Sequence, residues 1–421
     1  MNSLIIKHGR VIDPANRVDE IRDVFIAAGK ITGTPSGHTE VIDATGKIVT
    51  PGLIDIHVHL REPGRSDKES IETGTRCAAR GGFTSIVAMP NTTPAADNTG
   101  TIAFIKQRAA EVACVNVFPA GAITKELKGE ELAPIGSLKR AGVVAITDDG
   151  RCVQNNELMR RAVEYAKMFD LPVMDHCQDY NIAADGVMHE GYWSAVLGLR
   201  GWPSVAEEII VARNILMAEV TDWHIHCQHL SSARSVGLVR EAKKRGVKIS
   251  AEACPHHFTL SDERLKDYDT NFKMNPPLRT EADRQALLAG LADGTIDIIA
   301  SDHAPHCTYE KQVEFDVAPF GIIGLETELA LSLALVQQKV LSLSQLIEKL
   351  TTNPAKLLRL PKGTLSAGAD ADVTVIDPTA EWTYDVEQSA SKSNNSPFHG
   401  CHLNGRAVTT IVGGKIAWQL E

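Results

Sequence analysis

The chain has 421 residues, 43% hydrophobic and 23% charged, a composition that suits one large folded unit plus a smaller one and argues against disorder. A formal charge of −10 disfavours binding to nucleic acid, and no apolar run approaches the roughly 18 residues needed to span a bilayer. The opening MNSLIIKHGR is too poor in apolar residues for a signal peptide, and eight cysteines placed singly, with no CxxC pair, fit reduced thiols, so a cytoplasmic location is expected.

Residues 3 to 48 read as short alternating strands with turn signals: SLIIKHGRVID, DVFIAAGKITG and EVIDATGKIV. From about residue 50 to 340 the pattern changes. Eight β-rich runs follow, namely LIDIHVH, TSIVAMPN, VNVFPAGAI, VVAITDD, PVMDHC, WHIHCQH, KISAEAC and DIIASDHAP. Helical stretches such as ESIETGTRCAARGG, NNELMRRAVEYAKMF and SSARSVGLVREAKKRG separate most of them. Repeated βα units of this number predict a (β/α)8 barrel of the TIM type over residues 51–359. An open doubly wound sheet is the alternative, weakened because no GxGxxG follows the first strand. LETELALSLALVQQ offers an apolar helix face suited to a core or an interface. After the helical LSQLIEKLTTNPAKLLRL, short strands resume in ADVTVIDP and RAVTTIVGGKIAWQL. Residues 1–50 and 360–421 are therefore expected to pair into one small β-sandwich-like domain formed from both termini, with SASKSNNSP at 389–397 as a flexible surface loop within it.

A (β/α)8 barrel presents its chemistry at the C-terminal ends of its strands, and polar residues collect there in this sequence. His57 and His59 end the first predicted strand, Asn91 the second, Asp148 and Asp149 the fourth, His176 the fifth, His229 the sixth and Asp302 the eighth. In a strand, residues i and i+2 face the same way, so His57 and His59 can reach one ion. Imidazoles with carboxylates suit Zn²⁺, although Mn²⁺, Fe²⁺ and Co²⁺ accept the same donors. Asp149, His176 and His229 exceed the needs of one tetrahedral ion, and a bridging carboxylate would serve two. The plainer alternative makes Asp149 the cap of the turn TDDG, and His176 and His229 buried neutral rings. His224 and His226 lie earlier in their strand and suit packing. His256 and His257 read as structural or supporting, and Cys177 and Cys307 as small packing residues.

The segments HVHLREPG, MPNT, TDDG, NPPLR, SDHAPH and APFGIIGLET, in this order across the whole chain, resemble the class I dihydroorotases of the amidohydrolase superfamily. GKIVTPGLID and NPAKLLRL with GTLSAGADADVTVID are similar to the superfamily at large. The resemblance implies that His57, His59 and Asp302 hold one zinc, that His176 and His229 hold a second, and that Asp149, rather than Asp148, bridges them with a hydroxide. It implies two Zn²⁺ per subunit and Asp302 as general acid/base. By the same likeness the substrate would meet His59, Arg61, Asn91, Asn275 and His306, and the main chain at Phe320 and Gly321. The activity implied is the reversible cyclisation of N-carbamoyl-L-aspartate to L-dihydroorotate in pyrimidine biosynthesis. Arg61 fits independently, because its planar fork matches a carboxylate and it lies two residues past His59.

The nearest rival is an allantoinase or hydantoinase, which bridges its metals with a carboxylated lysine where AGVVAITDDG offers Asp. An inactive scaffold of aspartate transcarbamoylase would be expected to lose ligands that this chain keeps. The expected partner is a small-molecule substrate, with neither nucleic acid nor membrane, and the sequence leaves open a homodimer and an association with aspartate transcarbamoylase. Gln178, Gln228 and Cys307 depart from the family's common residues without removing a ligand.

Overall fold

The computed structural model describes residues 3–34 and 39–420. The N-terminal region forms β1 (Ser3–Lys7), β2 (Arg10–Asp13), β3 (Val18–Ile21), β4 (Val24–Ala27), β5 (Lys30–Thr32), β6 (Thr39–Asp43) and β7 (Ile48–Pro51). The central region contributes β8 (Leu53–Val58), β9 (Phe83–Ala88), β10 (Asn116–Pro119), β11 (Val173–Asp175), the short pair β12 (Met188–His189) and β13 (Gly201–Trp202), β14 (Ile225–Cys227), β15 (Ile249–Ala253) and β16 (Ile298–Ile299). The chain closes with β17 (Val373–Thr383), β18 (His402–Val412) and β19 (Lys415–Gln419).

Strands from the two ends of the chain meet. One sheet runs β19-β18-β17-β7-β2-β3 and a second β5-β4-β1-β6. Val373 to Ile376 of β17 pair antiparallel with Pro51 to Ile48 of β7. Alternation drives the burial, since Val24 and Ile26 are buried while Phe25 and Ala27 are half-buried. Both sheets supply one apolar cluster, including Leu4, Val11, Ile26, Val49, Val375 and Ile411.

The central strands close into a parallel (β/α)8 barrel. Main-chain hydrogen bonds carry the ring around its upper rim: Met89 to Val58, Ala120 to Ala88, Thr147 to Gly121, Met174 to Ile146, Gln228 to Asp175, Leu230 to Glu252, Ala300 to Ala253 and His59 to His303. The fourth predicted strand needs correction. VVAITDD is a short, irregular strand: Ile146 bridges Gly121 on one side and Val173 on the other, and the N–H groups of Val144 and Thr147 donate to the carbonyls of Pro119 and Gly121. Beyond Thr147 the chain leaves the ladder, and the Asp148 carboxylate accepts the N–H groups of Ile123 (2.7 Å) and Thr124 (3.0 Å).

Ile54, Ile56, Val87, Met89, Ala120, Met174, Ile298 and Ala300 come from the first, second, third, fifth and eighth strands and form one buried cluster inside the ring. A larger cluster lies between strands and helices. The helix Ile71–Gly81 starts at Ser70, whose hydroxyl accepts from the Thr73 N–H, and ends at Gly82 with φ 95°. The apolar LETELALSLALVQQ is core, since Leu329, Leu331, Leu333 and Leu335 of helix Glu328–Gln337 are all buried.

Two further expectations are corrected. LSQLIEKLTTNPAKLLRL is two helices, Leu343–Leu350 and Thr352–Leu358, separated at Thr351. Pro354 has no N–H and would clash with the carbonyl four residues back in a continuous helix. SASKSNNSP is not a flexible surface loop, because Ser393, Asn395 and Ser396 are buried against the barrel mouth.

Candidate active site

The barrel mouth opens into a cavity of about 560 Å³. His59, Arg61, Asn91, Asp149, His176, His229, Asn275, Asp302, His306, Phe320 and Gly321 all line it, and His57 is buried behind them. Gly150, Arg151, Ala304 and Pro319 complete the lining. Three of these residues, Arg61 (φ 58°), His229 (φ 31°) and Asp302 (φ 47°), hold left-handed backbone conformations that non-glycine residues rarely adopt. Such strain persists only where surrounding contacts enforce it, and it gathers at working sites.

Asp149 is the centre of the arrangement. Its Oδ1 lies 3.1 Å from His57 Nε2 and 3.7 Å from both His176 Nδ1 and His229 Nε2, and its Oδ2 lies 3.3 Å from His59 Nε2. Asp302 Oδ1 lies 3.0 Å from His59 Nε2 and 3.6 Å from His57 Nε2. Asp148 faces the other way, toward Thr124. The two adjacent carboxylates thus have separate surroundings, one in the loop and one in the cavity.

The far nitrogen of three of these imidazoles is tied to a neighbour. His57 Nδ1 bonds Glu252 Oε1 at 2.6 Å, His59 Nδ1 bonds Asn91 Oδ1 at 2.8 Å and His176 Nε2 bonds Gln178 Oε1 at 2.7 Å. The nitrogens left over point toward the carboxylates. Among the described residues, His57 Nε2 and Asp149 Oδ1 are buried without a hydrogen-bond partner, and His176 Nδ1 lies 2.8 Å from His229 Nε2. Fixing one ring nitrogen while presenting the other is how proteins hold histidines for a metal. Three overlapping clusters have metal-ligand spacing: His57, His59 and Asp149; Asp149, His176 and His229; and His57, His229 and Asp302. The donor set fits a divalent transition metal.

Electrostatics separate these groups. Burial pushes the His176 imidazole down to about 4, helped by His229, which keeps it neutral and able to donate a lone pair. Burial would raise the Asp302 carboxyl, but His57 and His59 outweigh it and hold Asp302 below the ordinary carboxylate range. Arg61 falls only to about 10 through burial, so it stays cationic at neutral pH. Burial, then the charges of Arg61 and Lys68, takes His306 down to about 2. The neutral His306 ring donates through Nε2 to the Phe320 carbonyl at 2.9 Å, and its Nδ1 accepts from Lys68 at 3.1 Å.

Some contributors are not evident from sequence. Glu252, wholly buried on β15, ties His57, accepts from the His229 N–H at 3.2 Å and meets His226 Nε2 at 3.0 Å. The signal for it was a carboxylate in the middle of the apolar strand KISAEAC, a position that is costly unless paired. Gln178 also accepts from Asn275 Nδ2 at 2.9 Å, and Gln228 packs its Nε2 3.3 Å from His57 Nδ1 while its Oε1 accepts from the Thr147 hydroxyl at 3.0 Å. Both departures from the family's usual residues therefore brace the site. His224 and His226 flank Ser250, each at 2.7 Å from its hydroxyl, as packing residues of the barrel wall. His256, His257 and Cys254 form a separate buried group.

Comparison with known proteins gives consistent likenesses. A dihydro-orotase-like family model matches residues 46–235 and an amidohydrolase family model matches residues 224–417. The dihydroorotase of Pelotomaculum thermopropionicum is 55% identical over 421 residues, covering 99% of this chain and 98% of its own length. That of Geotalea daltonii is 53% identical, covering 98% of this chain and 99% of its own. Among solved structures, the L-hydantoinase (dihydropyrimidinase) from Arthrobacter aurescens matches with a TM-score of 0.89 at 24% identity, over 100% of this chain and 96% of its own. The D-hydantoinase from Thermus sp. matches with a TM-score of 0.83 at 26% identity, over 99% of this chain and 95% of its own. The first of these two likenesses speaks for the fold alone.

Proposed function

Because the chain belongs to the dihydroorotase family of metal-dependent cyclic amidohydrolases, we propose that the residues at its barrel mouth carry the interconversion of N-carbamoyl-L-aspartate and L-dihydroorotate in pyrimidine biosynthesis. The observation that carries the assignment is Asp149, whose carboxylate lies within 3.7 Å of four imidazole nitrogens in the cavity that Arg61 and Asp302 share.

We assign two zinc ions to this site. His57, His59 and Asp302 would hold one, His176 and His229 the other, and Asp149 would bridge them. Its membership of two ligand clusters supports the bridge. When bound, such metals lower the pKa of water toward neutrality and polarise the carbonyl under attack. The remaining work falls to the chain. Arg61 and Asn91 clamp the substrate carboxylate, the guanidinium supplying a planar pair of donors. Asn275, His306 and the main chain at Phe320 and Gly321 hold the ring. His59 contacts substrate as well as metal. Asp302, ionised and facing the cavity, takes a proton from the attacking water during ring opening and delivers it to the ring nitrogen as the C–N bond breaks.

The barrel, residues 51–359, would be the catalytic domain and residues 1–50 with 360–421 the smaller β-sandwich-like one. The eight free cysteines support a reducing, cytoplasmic setting. Ile209, Leu216 and Val220, exposed on helix Val205–Thr221, offer a face for a second subunit or for aspartate transcarbamoylase. The deciding experiment assays both directions of the reaction on purified protein with metal counted in the same sample. Turnover of dihydroorotate with about two zinc ions per chain is expected. Hydrolysis of allantoin or a hydantoin without dihydroorotate turnover would overturn the substrate assignment.

A further inference from the structure

Residues 389–397 lie between the short helical turn Val386–Gln388 and β18, far from the metal ligands in sequence. They nevertheless lie across three loops of the barrel mouth. Ser391 Oγ donates to Glu69 at 2.5 Å, and Ser393 Oγ donates to the Lys68 carbonyl at 2.7 Å. Asn395 Nδ2 donates to the carbonyls of Ala304 (3.1 Å) and Gly321 (3.0 Å), while its Oδ1 accepts from the His306 N–H at 3.1 Å. The Asn395 main-chain carbonyl accepts from the Ile323 N–H at 3.0 Å. Asn395 is 2% exposed and Ser393 4%.

A side-chain amide offers two donors and an acceptor with spare capacity. At Asn395 both donors are used, and all three bonds end on the segment 304–321. Two of the residues bonded, His306 and Gly321, are assigned above to the substrate. Ser393 reaches the same place by a second route, since it fixes the Lys68 main chain and the Lys68 ammonium bonds the His306 ring. Glu69 extends the fastening, because its carboxylate meets His303 Nε2 at 3.3 Å. None of the bonds from the strap, residues 391–396, reaches a proposed metal ligand.

We propose that Asn395, supported by Ser393, is a positioning residue for substrate: it sets the distance between His306 and the Gly321 carbonyl, and so the width of the ring-binding half of the cavity. This rests on the assignment of His306 and Gly321 to the substrate. A buried amide of this kind holds a main-chain geometry that water would hold only loosely. Removing it would widen the range of positions that His306 samples while leaving the metals and Asp302 in place.

The test compares Asn395→Ala, Ser393→Ala, His306→Ala and the exposed control Lys392→Ala, with KM and kcat for dihydroorotate, zinc content and circular dichroism measured on each. The expected result is a KM rise of about tenfold for Asn395→Ala and a smaller rise for Ser393→Ala. For both, kcat should stay within about threefold and zinc content unchanged, and Lys392→Ala should match the parent. The double variant with His306→Ala should raise KM by less than the product of the single effects, because both changes act on one position. If Asn395→Ala does not fold, Asn395→Asp, which keeps the size and the acceptor but presents a carboxylate to two carbonyls, should give the same KM rise. Unchanged KM in a folded Asn395 variant, alongside a raised KM for His306→Ala, would overturn the positioning role alone. Silence of both would overturn the substrate assignment of His306 together with the inference built on it. A raised KM for Asn395→Ala with a silent His306→Ala would keep the positioning role, acting through the Gly321 carbonyl.

Discussion

Asp302 shows how one residue is set for its task by its neighbours. Its left-handed backbone aims the carboxylate at His59 and into the cavity, and the imidazoles keep it ionised. Asp302→Ala should abolish turnover, with a fall in kcat of at least about a thousandfold, while circular dichroism shows the fold intact. An active, metal-loaded variant would refute the acid/base role. His257 gives a pH prediction. Its Nε2 bonds the Pro276 carbonyl at 2.8 Å, and burial lowers its pKa from 6.5 to about 4. Between those values the unfolded chain binds a proton that the folded ring refuses, so this residue's contribution to stability is complete above pH 6.5 and is lost on acidification toward 4. The change amounts to about 3 kcal/mol. His257→Gln, which can keep the bond to Pro276, should flatten the fall in urea midpoint over that window. An unchanged slope would place the acid sensitivity elsewhere.

At the scale of elements, close packing places the site. Helix Ile71–Gly81 ends where a β-carbon on Gly81 would come within 2.1 Å of the Leu325 carbonyl oxygen. Gly81→Ala should therefore cost about 1–3 kcal/mol, read as a lower urea midpoint at constant slope, because backbone rather than a flexible side chain must move. Much of this layer was legible in the sequence. The histidines announced themselves because a barrel collects chemistry at strand ends, and alternation marked the terminal strands. The fourth run reads as a full strand because its β-branched VVAIT suits a ladder, but its pairing is confined to residues 144–147, after which Asp148 turns toward Ile123 and Thr124. The strap was hidden for a different reason. A run of serines and asparagines carries no sign of whether its hydrogen bonds go to water or to a distant carbonyl, and here Ala304 and Gly321 decide it. Glu252 stood between, since a carboxylate inside an apolar strand demands a partner without naming it.

For the whole molecule, the metal site should act as a cross-link between strands. His57, Asp149, His176 and His229 come from four positions around the ring, and His57 Nε2 and Asp149 Oδ1 are buried with no hydrogen-bond partner among the described residues. Stripping the metal with a chelator should lower the unfolding temperature, and zinc should restore it. Zinc at about 100 times its dissociation constant contributes about 2.7 kcal/mol. Calorimetry showing the same midpoint with and without chelator would argue against a tightly held ion. The strap bears on the molecule in another way, through the order in which a ribosome releases it. Ser393 fastens Lys68 from 325 positions later in the chain, and Asn395 follows Ala304 by 91. A nascent polypeptide released as far as residue 310 already carries all six proposed ligands, but the clasp over its substrate cavity is still unmade. Selectivity for the ring would therefore be among the last properties the growing protein acquires.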